Sequence, residues 1–130
     1  MRQRPLSPHL SIYRFRYTLT TSIANRLTGM VLSAGLPVLV IWLMSAASGA
    51  REYERVRQAF GHVAGRSVLA LLLVAFVYHL LAGIRHLIWD TGHGLERKQS
   101  QRSAWILGAA TLVVSAALLY GIFVRDAGAP

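Results

Sequence analysis

Three long runs without a formal charge dominate this sequence. Residues 27–50, 67–84 and 103–124 hold 24, 18 and 22 residues, and His79 alone in the second run can take up charge near neutral pH. Crossing the hydrocarbon of a bilayer takes roughly 20 apolar residues at about 1.5 Å of rise each, so three spans fit. A soluble fold can hide one such helix. Three of them in 130 residues would leave too little polar surface to cover them, and 54% of the chain is hydrophobic. The expected class is an all-α integral membrane protein with three transmembrane helices forming part of a helical bundle.

The formal net charge of +9 raises nucleic acid as a partner. The distribution argues against it. Thirteen of the fourteen basic residues are Arg, and most flank the apolar runs, where they anchor to headgroups and set orientation. No basic helix face carries interleaved polar readers, so the bilayer is the expected partner and no nucleic acid is. The chain has no Cys, so it cannot by itself hold an iron–sulfur cluster or a structural Cys zinc site. No cleavable signal is expected, because residues 1–22 are Arg-rich and have no apolar core before Leu27. Pro5 and Pro8 likewise break any early amphipathic presequence helix.

Residues 1–130 read as a single membrane-anchor domain. Residues 1–21 form a cytoplasmic or interfacial arm, and helices are expected over about 22–47, 66–90 and 103–124. Thr20, Thr21 and Ser22 are candidate N-caps of the first helix, and Pro37 is expected to kink it. Gly29 with Ser33, and Ala117 with Gly121, form small-xxx-small pairs that favour close helix contact. Residues 49–65 and 92–102 are polar connectors, the first with a short surface helix in part of it. With the N-terminus inside, eight basic residues fall near span ends on the inner side and five on the outer. That balance favours a cytoplasmic N-terminus.

His79 is the residue that points to chemistry. An ionisable side chain in hydrocarbon is costly, so it reads as functional by default. Ala75, His79 and Gly83 fall at i, i+4 and i+8 on one helical face, leaving little bulk one turn either side of the imidazole. A flat ligand with its metal against the ring nitrogen would fit there, which suggests haem in a helical bundle. Asp90 lies 11 residues on, roughly 16 Å away at helical rise. Ser22 and Arg26, at i and i+4, share a face at the same side of the membrane. The polar intramembrane groups are therefore expected to cluster in the inner half of the bilayer.

Three segments carry a family resemblance. They are Ser22-Ile23-Ala24-Asn25-Arg26-Leu27-Thr28-Gly29, the block His79-Leu80-Leu81-Ala82-Gly83-Ile84-Arg85-His86-Leu87-Ile88-Trp89-Asp90, and the N-terminal run Arg4 to Tyr13. In order and spacing over nearly the whole chain they resemble the cytochrome b subunit of succinate dehydrogenase, the larger-type membrane anchor of respiratory complex II. The pattern His-x3-Gly-x-Arg-His-x2-Trp-Asp is its specific part. The resemblance implies pairing with a second small membrane-anchor subunit and a haem b shared between the two. It implies docking of a flavoprotein subunit with FAD and an iron–sulfur subunit with its clusters on the cytoplasmic face of a bacterial inner membrane. Electrons from succinate would pass through those subunits to ubiquinone. By the same resemblance His79 is an axial ligand of the haem iron, with the second ligand on the partner. Ser22 and Arg26 line the quinone pocket, and Arg26 also lies near a haem propionate. Where the family commonly has His before this Arg, this chain has Asn25, which can donate a hydrogen bond to a propionate but carries no charge.

The residues themselves agree with those roles. Neutral imidazole is a standard haem ligand, Arg neutralises an anionic propionate, and a Ser hydroxyl with a guanidinium can hold quinone carbonyls. His86, seven residues beyond His79 and nearer the interface, reads as a propionate contact rather than the iron ligand. Plainer readings stand beside these. His79 could make an interhelical hydrogen bond without metal, Arg26 could snorkel to headgroups, and Arg85 with Asp90 could form an interfacial ion pair. Trp42, Trp89 and Trp105 fit membrane-interface belts, and His9, His62 and His93 fall in the arm or loops. At the level of function, the alternatives are a haem-free anchor that only tethers catalytic subunits, and a small transporter whose His79 and Arg85 relay protons. The latter lacks the inverted repeat common in transporters.

Overall fold

The computed structural model describes residues 17–124, all but a few of them in helices. Of the expected arm over residues 1–21, residues 1–16, with His9, lie outside this range, as do the final residues from Arg125, while residues 17–21 are helical. Helix α1 runs Tyr17–Ser48, α2 Ala50–Gly61, α3 Val63–Asp90 and α4 Arg97–Leu119, the last continuing into a π-helical turn at Tyr120–Val124. No strand occurs among the described residues. Helices α1, α3 and α4 are each long and apolar enough to cross a membrane.

Helix bounds differ from the apolar runs because hydrogen bonding, not hydropathy, ends a helix. Helix α1 begins at Tyr17, so Thr20, Thr21 and Ser22 lie within it and none is its N-cap. It runs through Pro37 unbroken. Helix α4 begins at Arg97 because the Arg-Lys-Gln opening is made of good helix formers. The connector between the first two spans is almost wholly helical. Gly49, at φ 107°, supplies the positive-φ joint that no side-chain-bearing residue adopts cheaply. Helix α2 is amphipathic, with Tyr53, Val56 and Phe60 half-buried at i, i+3 and i+7 and Arg51, Arg55 and Arg57 exposed. Its acidic residues pair locally, Glu52 with Arg55 and Glu54 with Arg57, both at 2.8 Å. The Arg57 and Gln58 side chains hold the Glu54 carboxyl below its ordinary range.

Helix α3 is the centre of the bundle, packing against both α1 and α4. It runs antiparallel to α1, since Gly29 meets His79 while Gly35 meets Leu72. Gly35 is a true close approach, because a Cβ there would overlap the Leu72 methyls. The pair Ala117 and Gly121 makes no such contact, and nothing lies within 4 Å of where a Gly121 Cβ would be. The spans bury little against each other. Met30, Leu36 and Met44 on α1 stay 61, 59 and 63% exposed, an apolar surface suited to lipid or neighbouring subunits.

Arg85 joins α3 to α4. It is 8% exposed and forms no ion pair with a carboxylate among the described residues. Its Nε donates to Ser103 Oγ at 2.8 Å, and one terminal nitrogen donates to the Ser100 carbonyl at 2.9 Å and to Ser100 Oγ at 3.3 Å. The guanidinium carbon lies 3.9 Å from the Trp89 ring centroid. The expected Arg85–Asp90 ion pair does not form, because the two residues are five apart on one helix and Arg85 turns toward α4. Trp89 and Trp105 likewise do more than mark an interface, since Trp105 stacks on Tyr17 with ring centroids 4.2 Å apart. Arg85→Met should cost about 2 kcal/mol through loss of charge-assisted hydrogen bonds, lowering the thermal midpoint of the detergent-solubilised protein. Arg85→Lys should recover little, because an ammonium lacks the fork that reaches both serines.

Candidate functional site

The site is built where α1 crosses α3. Tyr78 donates its hydroxyl to the Thr21 carbonyl at 3.0 Å, fixing how far down α1 the second half of α3 sits. One residue on, the His79 ring turns against α1. Its Nδ1 lies 3.1 Å from the Asn25 carbonyl oxygen and 3.3 Å from Thr28 Oγ1. The Cε1 edge of the ring lies so near α1 that a Cβ at Gly29 would stand 3.1 Å from His79 Cε1. Gly29 thus admits the imidazole, a role beyond the helix contact its spacing with Ser33 suggested.

These contacts decide which nitrogen carries the proton. The Thr28 hydroxyl has a single hydrogen, directed to the Ala24 and Asn25 carbonyls at 2.9 and 3.0 Å. Toward His79 it can therefore only accept, as can the Asn25 carbonyl. Two acceptors converge on Nδ1, so Nδ1 holds a hydrogen, and in the neutral ring that leaves the lone pair on Nε2. No described residue bonds to Nε2. Among the described residues no group of three or more His, Cys, Asp or Glu gathers.

The surroundings of His79 differ from the symmetric gap expected. Ala75 is buried at 5%, packed within the chain, so its small size serves helix contact. Gly83 is the open side, with nothing within 4 Å of where its Cβ would stand. Beside it on α3, Phe76, Leu80 and Leu87 are all exposed, leaving an uncovered apolar face next to the imidazole. His86 is exposed one further step along this face and meets Trp89 edge-on at 5.3 Å.

Ser22 and Arg26 are exposed on α1. With Gly29 they stand at i, i+4 and i+7, so they line the stripe of α1 on which the His79 ring rests. Neither makes a side-chain hydrogen bond or ion pair with a described residue, which leaves both free for a ligand. The Asn25 side-chain Oδ1 is buried without a partner among the described residues. The part Asn25 plays inside the chain is through its main chain, as the acceptor for His79. Residue types could not reveal that, since every residue offers a carbonyl. Thr28 and Tyr78 also went unnoticed in the sequence, although Thr28 lies in the same segment as Asn25 and Arg26. Of the remaining histidines, His62 sits between α2 and α3, and His93 contacts Thr91 Oγ1 at 2.9 Å in the α3–α4 turn, both exposed and far in sequence from the site.

Comparison with known proteins places the chain in a family. The family described as succinate dehydrogenase/fumarate reductase transmembrane subunit matches residues 1–118. The succinate dehydrogenase cytochrome b556 subunit of Paracoccus denitrificans is 38% identical over 121 residues, covering 93% of each chain. The cytochrome b560 subunit of Reclinomonas americana is 36% identical over 115 residues, 84% of this chain and 80% of its own. The mitochondrial cytochrome b560 subunit of Bos taurus is 37% identical over 114 residues, 86% of this chain and 65% of its own. With a match spanning α1, α2, α3 and nearly all of α4, the chain is a multi-pass membrane protein that belongs to the succinate dehydrogenase/fumarate reductase transmembrane subunit family.

Proposed function

We propose that this chain is a membrane-anchor subunit of a succinate:quinone oxidoreductase, which shares a haem b with a second small membrane subunit and forms part of the ubiquinone-reduction site. The observation that carries the reading is the state of His79: Nδ1 held by two acceptors on α1, Nε2 without a partner among the described residues, and open space one turn further along α3 at Gly83. The residues present fit a haem. A neutral imidazole with its far nitrogen hydrogen-bonded to a backbone carbonyl is the usual form of a metal-ligating histidine. A further ligand would come from the partner subunit, against the uncovered face of α3. Arg26 and His86, exposed to either side of His79, would meet the propionates, with the Asn25 amide as a further hydrogen-bonding group. Bound there, haem b supplies a one-electron redox centre between the two membrane subunits.

Quinone reduction takes two electrons and two protons. Flavin and iron–sulfur clusters on the flavoprotein and iron–sulfur subunits would supply the electrons from succinate, so succinate oxidation itself lies outside this chain. The Ser22 hydroxyl and Arg26 guanidinium would hydrogen-bond the quinone carbonyl oxygens and orient the ring. Their place near the start of α1, two turns from its first described residue, keeps the site close to water and thus to protons. Arg residues at the span ends support a cytoplasmic N-terminus in a bacterial inner membrane, and the chain acts as one membrane-anchor unit.

The complex purified with its natural partner subunits should show a reduced b-type haem spectrum, and His79→Ala should abolish it. A colourless wild-type complex would overturn the haem reading and leave a tethering anchor. Arg26→Leu should lower quinone reductase activity about tenfold or more, the worth of one charge-assisted hydrogen bond. Succinate oxidation by a soluble dye should persist. Equal loss of both activities would place Arg26 in assembly instead.

A further inference from the structure

We infer that Thr28 and the Asn25 carbonyl together set the electronic character of the His79 ligand, and that Thr28 is a positioning residue which tunes the haem without touching it. This rests on the proposed haem ligation. The argument begins with hydrogen counting. The Nδ1–H is shared between the Asn25 carbonyl oxygen at 3.1 Å and Thr28 Oγ1 at 3.3 Å. The Thr28 hydroxyl spends its own hydrogen on the Ala24 and Asn25 carbonyls. That donation aims an oxygen lone pair at the imidazole, so the hydroxyl's orientation is locked by α1 itself. An acceptor on Nδ1–H draws the hydrogen away from the ring and makes Nε2 a stronger donor to iron. A stronger donor favours the ferric over the ferrous state, because the extra positive charge on ferric iron gains more from it.

Gly29 adds the steric half of the arrangement. With a Cβ at 3.1 Å from Cε1, the ring would have to give by a few tenths of an ångström against α1. The tautomer and the ring plane are therefore both imposed by one turn of α1, residues 25–29, and not by α3, which bears the histidine. Sequence position alone places Thr28 next to a quinone-site Arg. The structure assigns it to the iron ligand.

The test uses the whole complex, purified with its partner subunits and haem. Thr28→Val keeps the shape and removes the acceptor. Haem should be retained, and at a fixed ambient potential the ratio of ferrous to ferric haem should rise about threefold, roughly 30 mV at 59 mV per tenfold for one electron. Thr28→Ser should restore the wild-type ratio. Gly29→Ala should leave the acceptors in place but shift the low-spin ferric electron paramagnetic resonance signal, which reads the ligand plane. An unchanged midpoint in Thr28→Val, or a change that Thr28→Ser does not reverse, would overturn the inference while leaving the proposed haem ligation standing. Loss of haem in both Thr28 variants would also overturn it, by making Thr28 a packing residue. Absence of haem from the wild-type complex would instead sink the proposed function on which it rests.

Discussion

The contact between His79 and one turn of α1 is the constraint around which the rest of the bundle is arranged. An imidazole among apolar helices must find a partner for its N–H, since leaving a buried polar group unpaired costs more than most packing contacts return. A helix interior normally offers none, because its carbonyls are engaged by amides one turn on. A carbonyl oxygen has two lone pairs, however, and the Asn25 oxygen uses the second. That choice requires α1 and α3 to approach closely, and Gly29 makes the approach possible. The register of α1 on α3 then follows, with Tyr78 reaching Thr21 on one side and Gly35 admitting Leu72 on the other.

Arg85 plays the corresponding part between α3 and α4, with a different solution to the same problem. A guanidinium has five N–H groups and a delocalised charge, so serine oxygens, a carbonyl and an aromatic face can satisfy it without an acid. Both polar contacts fall in the second half of α3. Among the described residues, one end of the bundle thus carries the side-chain hydrogen bonds between spans, while the other end is held by apolar packing and the amphipathic α2. The asymmetry suits an anchor whose chemistry happens at one membrane surface. The exposed residues Ser22 and Arg26 lie at the polar end, Arg26 within the same turn of α1 that meets the imidazole.

Much of the fold was legible in the residues. Spans of 18 uncharged residues or more admit few structures other than membrane helices, because hydrocarbon tolerates only a backbone that satisfies itself. The block His79 to Asp90 and the pair Ser22 and Arg26 marked the site, since charge and imidazole inside such runs have no cheap explanation. Other readings went astray for local reasons. Thr20 to Ser22 looked like caps because hydroxyls favour helix ends, yet the helix continues outward through Tyr17. Ala75 looked like clearance for a ligand because it matches Gly83 across the histidine, but a helix side turned toward its neighbours buries small residues for contact. Arg85 and Asp90 looked like a pair because their charges are opposite, although a helix turns them away from each other.

By itself, the sequence determined class, number of spans and the residue types on which chemistry can rest. These depend on composition over a window and on spacing along a helix, quantities that need no knowledge of the neighbours. Only the tertiary structure decided which nitrogen of His79 is free, that Gly29 rather than Ala75 makes room for the ring, and that Arg85 belongs to α4. Those outcomes depend on main-chain carbonyls and on hydroxyl hydrogens, groups that nearly every residue or many residues possess. Their partners are chosen by how two helices lie against each other, which no single stretch of chain encodes.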